Sequence, residues 1–285
     1  MQKPEDYTYI IDPESPAEQV RLAKQDIFLN EMLGMELLPP DLLLHRERPT
    51  QILDIGSGPG TWALTVAHRY PDTQITGIDI SEVNVKYANA QVRVERKDDR
   101  VSFEAMDATK PLIFEDNSFD LVNARAINGF LTLATWQTLM VELGRVVSPG
   151  GIVRIIDSDF LGRTTSPAYD RLEEMLLTIG KNDPTRISAA TPRMRFFFEQ
   201  AGFTDLQDRG YCIDFSAGAP AHDACIENFT VAFTLIKPYV VGLGLVSAEE
   251  YDQLRHQAIA EMYAADFGGI WFWRAMWGRK PENVG

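Results

Sequence analysis

Residues 52–60 read ILDIGSGPG. An apolar run broken by one aspartate, Asp54, ends in glycines at 56, 58 and 60. Such glycines let the backbone approach a ligand closely and turn sharply into a helix. The stretch therefore predicts a strand that ends in a ligand-binding turn. Ile52, Asp54 and Gly56 share one side of that strand, which puts the Asp54 carboxylate close under the turn. A dinucleotide loop would read G-x-G-x-x-G, but position 61 is threonine.

Short β-like runs alternate with helical ones from Gln51 to Asp159. Strands are expected at 51–55, 74–80, 100–106, 119–124 and 151–157. Helices are expected at 61–70, with a stripe of Ala63, Val66, Ala67 and Tyr70; after the cap Ser81, burying Val83, Tyr87, Ala90 and Val94; and at 134–147, stopped by Ser-Pro-Gly-Gly at 148–151. Glu82 four residues before Lys86 adds a surface pair. This alternation implies parallel βαβ units and a doubly wound α/β sheet that binds its ligand at the carboxyl ends of the strands. Residues 1–48 look helical, with 17–33 the clearest helix. Beyond 160, helices are expected at 169–179 and 192–201, strands at 206–215 and 270–277, and a mostly helical stretch over 222–263, broken near Pro238 and Gly242–Gly244. These parts read as one structural domain: an N-terminal helical lid (1–48), a core (49–160) and the remaining strands with a helical elaboration (161–285).

The chain has 285 residues, 45% of them hydrophobic, with a net charge of −14, enough for one large domain. So acidic a surface disfavours phosphate backbones and anionic lipid, so neither nucleic acid nor membrane is an expected partner. The best basic patch, Lys181 to Arg195 with Arg186 and Arg193, reads as a solvated helix face. Cys212 and Cys225 make no disulfide framework. The N-terminus lacks a signal-peptide core, and the stretch 225–246 contains Glu227, Asn228, Lys237 and Pro238, too polar for a comfortable span. A cytoplasmic address follows as the expectation. The oligomeric state, a homodimer included, stays open.

A buried carboxylate needs hydrogen bonds or a cation. A pyrophosphate would repel Asp54, whereas S-adenosylmethionine carries an ammonium and a sulfonium. The alternative is that Asp54 bonds only the N–H groups of its own loop. Two more acids, Asp79 in GIDIS (77–81) and Asp107 in EAMDAT (104–109), end the second and third strands. Each alone reads as a cap or turn residue; three at consecutive strand ends do not. Together these stretches resemble the motifs of class I S-adenosylmethionine-dependent methyltransferases. The resemblance implies a Rossmann-like, mostly parallel, seven-stranded sheet and a cofactor site of Asp54, Gly56, Ser57, Gly58 and Gly60, with Asp79 on the ribose hydroxyls, Ile80 on the adenine, Asp107 on its amino group and Ala108 on the ring edge. S-adenosylhomocysteine is the implied product.

YIIDPESPAEQVRLAKQ (9–25) and NARAINGFL (123–131) resemble a subgroup of small-molecule methyltransferases that includes the fungal regulator-like enzymes of secondary metabolism. That likeness rests on Tyr9, Glu18, Arg21, Leu22, Gln25 and Arg125 and implies a helical lid over the cofactor, with Asn123 and Arg125 at the end of the fourth strand. Arg21 is expected either to bind the methionine carboxylate or to pair with Glu18 or Asp26. Arg125 either contacts the cofactor or ties the fourth strand to the lid. WGRKP at 277–281 also resembles a family ending.

Methyl transfer is an in-line displacement that needs positioning, and for some acceptors a base. Weak candidates are His222, His256 and Asp157; His45 and His68 read as surface residues. No metal is expected, because Asn123-Ala124-Arg125 supplies no acid beside Asp157 and Asp159. Neither an N/D-P-P-Y loop nor a proline-cysteine pair is present, which argues against nucleobase acceptors. Phe196–Phe198, Phe229, Phe233, Tyr239, Trp271, Trp273 and Trp277 suggest an apolar or aromatic small acceptor. Two rival readings remain: a cofactor-binding protein that does not methylate, serving as a regulator or as a catalyst of an unrelated cyclisation, and a nicotinamide oxidoreductase, which leaves Asp54 and Asp107 unexplained.

Overall fold

A computed structural model describes residues 9–32, 37–42, 50–158, 161–182 and 190–282. Asp159, His45, Arg186 and much of the expected lid and basic run lie outside them. The chain folds around one sheet. Strands β1 (Thr50–Ile55), β2 (Thr73–Asp79), β3 (Val101–Ala105), β4 (Phe119–Arg125) and β5 (Val147–Asp157) are parallel, in the order β3-β2-β1-β4-β5. Next to β5 lies β8 (Gly269–Arg279), antiparallel, and both β6 (Arg163–Thr164) and β7 (Thr204–Asp214) pair antiparallel with β8. The sheet therefore has eight strands where seven were expected. The extra one, β6, is two residues long, too short to show an alternating pattern.

The inner strands β1, β4 and β5 are covered on both faces, so their apolar residues run almost continuously, whereas the edge strand β3 is buried only at alternate residues. Ile52, Ile75, Leu121 and Ile156 face one layer, which holds α1 (Pro16–Met32), α2 (Thr61–Arg69), α3 (Glu82–Val94), α5 (Pro167–Asn182), α7 (His222–Gly242) and α8 (Ala248–Met262). Leu53, Ile55, Val122 and Ile155 face the other, built by α4 (Leu133–Val146) and α6 (Met194–Gln200). By length and composition α7 would pass as a membrane span, yet Phe229, Phe233 and Ile236 on it are core.

Four local expectations are corrected. In α3 the sheet-facing residues are Asn84, Val85, Ala88 and Val92, while Val83, Tyr87 and Val94 are exposed. Both stripes have helical spacing; polar side chains choose between them. Ser81 accepts from the Asn84 N–H at 3.1 Å. Asn89 clamps the edge strand β3, donating to the Phe103 carbonyl (2.8 Å) and accepting from its N–H (3.1 Å). The clamp gives partners to edge backbone groups that no strand pairs. Second, Ser148–Gly151 does not separate helix from strand but lies within β5, at a register shift against β4. Gly150 takes φ +74°, and it and Gly151 exchange backbone hydrogen bonds with Lys280. Third, α7 runs through Pro238, whose neighbours Ile236 and Val240 stay packed; the break comes at Gly242–Gly244. Fourth, most of the aromatic run is core. Phe197 stacks on Trp136 with ring centroids 5.1 Å apart, Phe198 meets Phe203, and only Phe196 is exposed. Phe229 packs on Tyr169, Phe215, Phe233 and Trp271.

Phe229 is fully buried at the centre of that second cluster. Phe229→Ala is expected to cost about 3–5 kcal/mol of unfolding free energy, read by denaturant titration. A loss below about 1 kcal/mol would show that the cluster is not a packed core.

Candidate active site

A cleft opens at the carboxyl ends of β1 to β4. Its floor is Asp54 and Gly56–Pro59 after β1, Ile78–Ile80 at the end of β2, Met106–Thr109 after β3, and Arg125 and Ala126 at the end of β4. Phe130 and Thr135 close one side, and Tyr9, Pro13 and one face of α1 form the roof.

The β1 turn needs its glycines for different reasons. At Gly60, φ is +81° and an added Cβ would lie 2.6 Å from the Phe103 ring. At Gly58, φ is +53° and nothing lies within 4 Å of an added Cβ, so the backbone is bare where a ligand would approach. The Gly58 N–H donates to Asp79 Oδ2 at 2.8 Å, tying turn to strand end. Asp79 also accepts from the Ser81 N–H (2.9 Å) and from Asn84 (3.3 Å). Asp107 accepts from the Thr109 N–H (2.9 Å) and hydroxyl (2.6 Å) and pairs with Lys110.

Beneath the turn, Asp54 is 3% exposed. Asn123 donates to its Oδ1 at 2.8 Å and in turn accepts from Arg154 Nε at 2.8 Å. Arg125 donates to Asp26 and, at 2.9 Å, to Asn30, joining β4 to the roof helix. The guanidinium groups of Arg125 and Arg154 both lie over the Trp62 ring, 5.7 and 5.6 Å from its centroid, a favourable cation–π arrangement.

Burial pushes the Asp54 carboxyl up to about 7, against the pull of Arg125, the Asn123 hydrogen bond and Arg154 and with a push from Asp26. Burial also raises Asp79 and Asp26, against their hydrogen bonds and, for Asp26, the charge of Arg125. At Asp107 burial works against the charge, but Thr109 and Lys110 outweigh it and hold the carboxyl below its ordinary value. Asp54, Asp79 and Asp26 thus hold a proton more readily than a free carboxyl does, and Asp107 less readily.

Of the residues singled out from sequence, Tyr9, Asp54, Gly56, Ser57, Gly58, Asp79, Ile80, Asp107, Ala108 and Arg125 line the cleft. Gly60 caps α2, and Asn123 acts from below on Asp54. Arg21 does not line it. Glu18 accepts from its Nε (2.6 Å) and Nη2 (2.7 Å), and Gln25 and Asn228 accept from Nη1. Its fork is satisfied by these groups, and Tyr9 donates to the same Glu18 at 2.7 Å. None of the three catalytic candidates reaches the cleft. His222 sits at the start of α7 against the Phe215 carbonyl, and His256 is exposed beside Arg255 on α8. Asp157 accepts from the N–H groups of Asn128 and Ser158, so it holds the segment after β4. The aromatic residues expected to line an acceptor pocket do not line this cleft.

Sequence reasoning missed Asp26, Leu29, Asn84, Thr109, Ala126 and Phe130 as lining residues. Leu22, Gln25, Asp26 and Leu29 fall at i, i+3, i+4 and i+7, one helical face, a signal that would have found the roof. Ala126 carries φ +53°, which its residue type does not announce.

Residues 52–151 match a family model described as a methyltransferase domain. The chain is 30% identical over 145 residues to Methyltransferase str3 of Strobilurus tenacellus, covering 51% of this chain and 47% of that protein. It is 26% identical over 198 residues to the secondary metabolism regulator LaeA of Aspergillus niger, covering 67% and 50%. It thus spans about half the length of these curated relatives. Among solved structures it resembles Haemonchus contortus phosphoethanolamine N-methyltransferase 2 in complex with phosphomonomethylethanolamine and S-adenosylhomocysteine, with a TM-score of 0.52 at 22% identity over 92% of this chain and 53% of that one. The methyltransferase-domain match, residues 52–151, takes in β1 to β4 and the turns that form the floor of the cleft.

Proposed function

We propose that this chain transfers the methyl group of S-adenosylmethionine to a small acceptor by in-line displacement without a metal. The observation that carries the reading is the convergence of Asp54, Asp79 and Asp107, from three consecutive strand ends, on one cleft. The residues present fit the cofactor. The Ser57 hydroxyl and the Asn84 Oδ1 are buried there with no hydrogen-bond partner among the described residues, and Gly58 leaves open space. Asp54 would face the ammonium, Asp79 the ribose hydroxyls, and Asp107 with the backbone of Ala108 the adenine edge. When bound, the cofactor supplies an electrophilic methyl on a sulfonium. In-line transfer needs acceptor and methyl about 3 Å apart, and the walls of the cleft would supply that positioning, the source of much of the acceleration. Arg125 lines the cleft with its guanidinium taken by Asp26 and Asn30, so its part is to fix the roof helix over the cofactor.

Tyr9, Pro13, Leu22, Leu29 and Phe130 give the cleft an apolar roof and side. They favour a small apolar or aromatic acceptor, now on the strength of these residues rather than of the buried aromatic clusters. Similarity to a protein named as a regulator of secondary metabolism supports a second reading, in which the cofactor is bound but no methyl leaves it. Mass spectrometry of a metabolite panel incubated with protein and cofactor separates the two. A gain of one methyl supports transfer; cofactor binding with no methylated product from any panel member or from the chain itself favours the second.

Asp79→Ala is expected to weaken S-adenosylmethionine binding by about 1–3 kcal/mol, measured by calorimetry; an unchanged affinity would place the ribose elsewhere. A second expectation concerns pH. The folded Asp54 titrates near 7, above its unfolded value of about 4. Its contribution to stability is therefore full below about pH 4 and is lost as pH rises through 7. Between about pH 5 and 8 the ligand-free protein should lose thermal stability from this group, and Asp54→Asn should flatten the loss, while bound cofactor offsets it most at the upper end. A wild-type profile identical to that of Asp54→Asn would show that the carboxyl is not perturbed.

A further inference from the structure

We infer that the side-chain amide of Gln25 receives the carboxylate of the cofactor's methionine half, a neutral donor standing where a guanidinium was expected. The inference rests on the reading of the cleft as an S-adenosylmethionine site. Among the described residues that line the cleft, Arg125 is the only cation, and Asp26 and Asn30 take its guanidinium. The carboxylates of Asp26, Asp54, Asp79 and Asp107 line the same space. They suit an ammonium and two ribose hydroxyls, but they oppose the carboxylate on the same carbon as that ammonium. That group needs a hydrogen-bond donor that is not already spent.

Gln25 has one. The face that α1 turns to the cleft is Leu22, Gln25, Asp26 and Leu29, so its polar part is Gln25 and Asp26, and Asp26 is held by Arg125. Gln25 Oε1 accepts from Arg21 Nη1 at 2.7 Å. A guanidinium only donates, so the amide cannot be turned round: its oxygen faces Arg21 and its nitrogen faces away. Gln25 lines the cleft and Arg21 does not, which puts the nitrogen on the cleft side. The nitrogen has no hydrogen-bond partner among the described residues. Arg21 is itself fixed. Glu18 accepts from its Nε and Nη2 at 2.6 and 2.7 Å, and Asn228 of α7 from Nη1 at 2.9 Å, all three residues being buried. The donor is therefore held in place before a ligand arrives, and binding costs it little freedom.

Position along the cleft agrees. Asp79 and Asp107, the acids for the adenosine half, end β2 and follow β3. Gln25 adjoins Asp26, which is bonded to Arg125 at the end of β4 and whose charge acts on Asp54. The amide thus belongs to the β1 and β4 end, where Asp54 would meet the ammonium. Glutamate at position 25 would keep an oxygen for Arg21 and replace the donor by an anion.

Calorimetry on the full chain with two ligands tests this. One is S-adenosylmethionine; the other is its decarboxylated form, which keeps the adenosine, sulfonium and ammonium and lacks the carboxylate. Gln25→Glu and Gln25→Leu are each expected to bind S-adenosylmethionine about 10- to 100-fold more weakly than wild type. Their affinity for the decarboxylated ligand should stay within about three-fold of wild type or, for Gln25→Glu, rise. An equal loss for both ligands would mean that Gln25 only supports Arg21. That result, or an unchanged affinity for S-adenosylmethionine in both variants, overturns the inference and leaves the cofactor site standing. A wild type that binds neither ligand overturns the cofactor reading itself, and this inference with it.

Discussion

The site depends on one constraint: a carboxylate, Asp54, held out of water under a turn of bare backbone. Moving a charge into such a place costs several kcal/mol unless something answers it. Asn123 answers in part, and Arg154 stiffens Asn123 from the next strand. The guanidinium that pulls on it most, Arg125, is committed to Asp26 and Asn30 of the roof helix. The balance leaves Asp54 titrating near neutrality. A cationic ligand would complete the set, and an anionic one would not.

The fold exists to hold that arrangement. Parallel β1, β2 and β4 bring Asp54, Asp79 and Arg125 to one edge because their strands end in step. The Gly58 N–H is bound to Asp79, so the turn and the second acid move together. The roof is fastened twice. Arg125 grips α1 from the floor, and Arg21 grips Asn228 of α7 from behind. A buried pair, Glu18 and Arg21, therefore shapes the roof from behind, and Tyr9 and Gln25 carry its hydrogen bonds to the cleft's edge.

The core was legible in the sequence because its signals are backbone signals. Glycines at 56, 58 and 60 and acids at strand ends report conformations and burial that few other residues tolerate. The parts that were misread depend on which of two allowed partners a side chain takes. Periodicity gives α3 two apolar stripes, and only Asn89 reaching the β3 backbone decides which faces inward. Arg21 had a carboxylate one turn away and took it. Phe196–Phe198 and Trp271–Trp273 are apolar wherever they sit, so their type alone does not separate core from pocket. The roof face at 22, 25, 26 and 29 was readable by spacing, but Asp26 shows its role only beside Arg125.

The central claim is that a cationic cofactor answers the Asp54 charge. Calorimetry of S-adenosylmethionine binding near pH 7, repeated in buffers of different ionisation enthalpy, counts the protons exchanged. The account predicts that wild type releases on the order of half a proton more than Asp54→Asn, and that the variant binds more weakly. Equal proton exchange and equal affinity in the two proteins, or no binding by wild type, would contradict it.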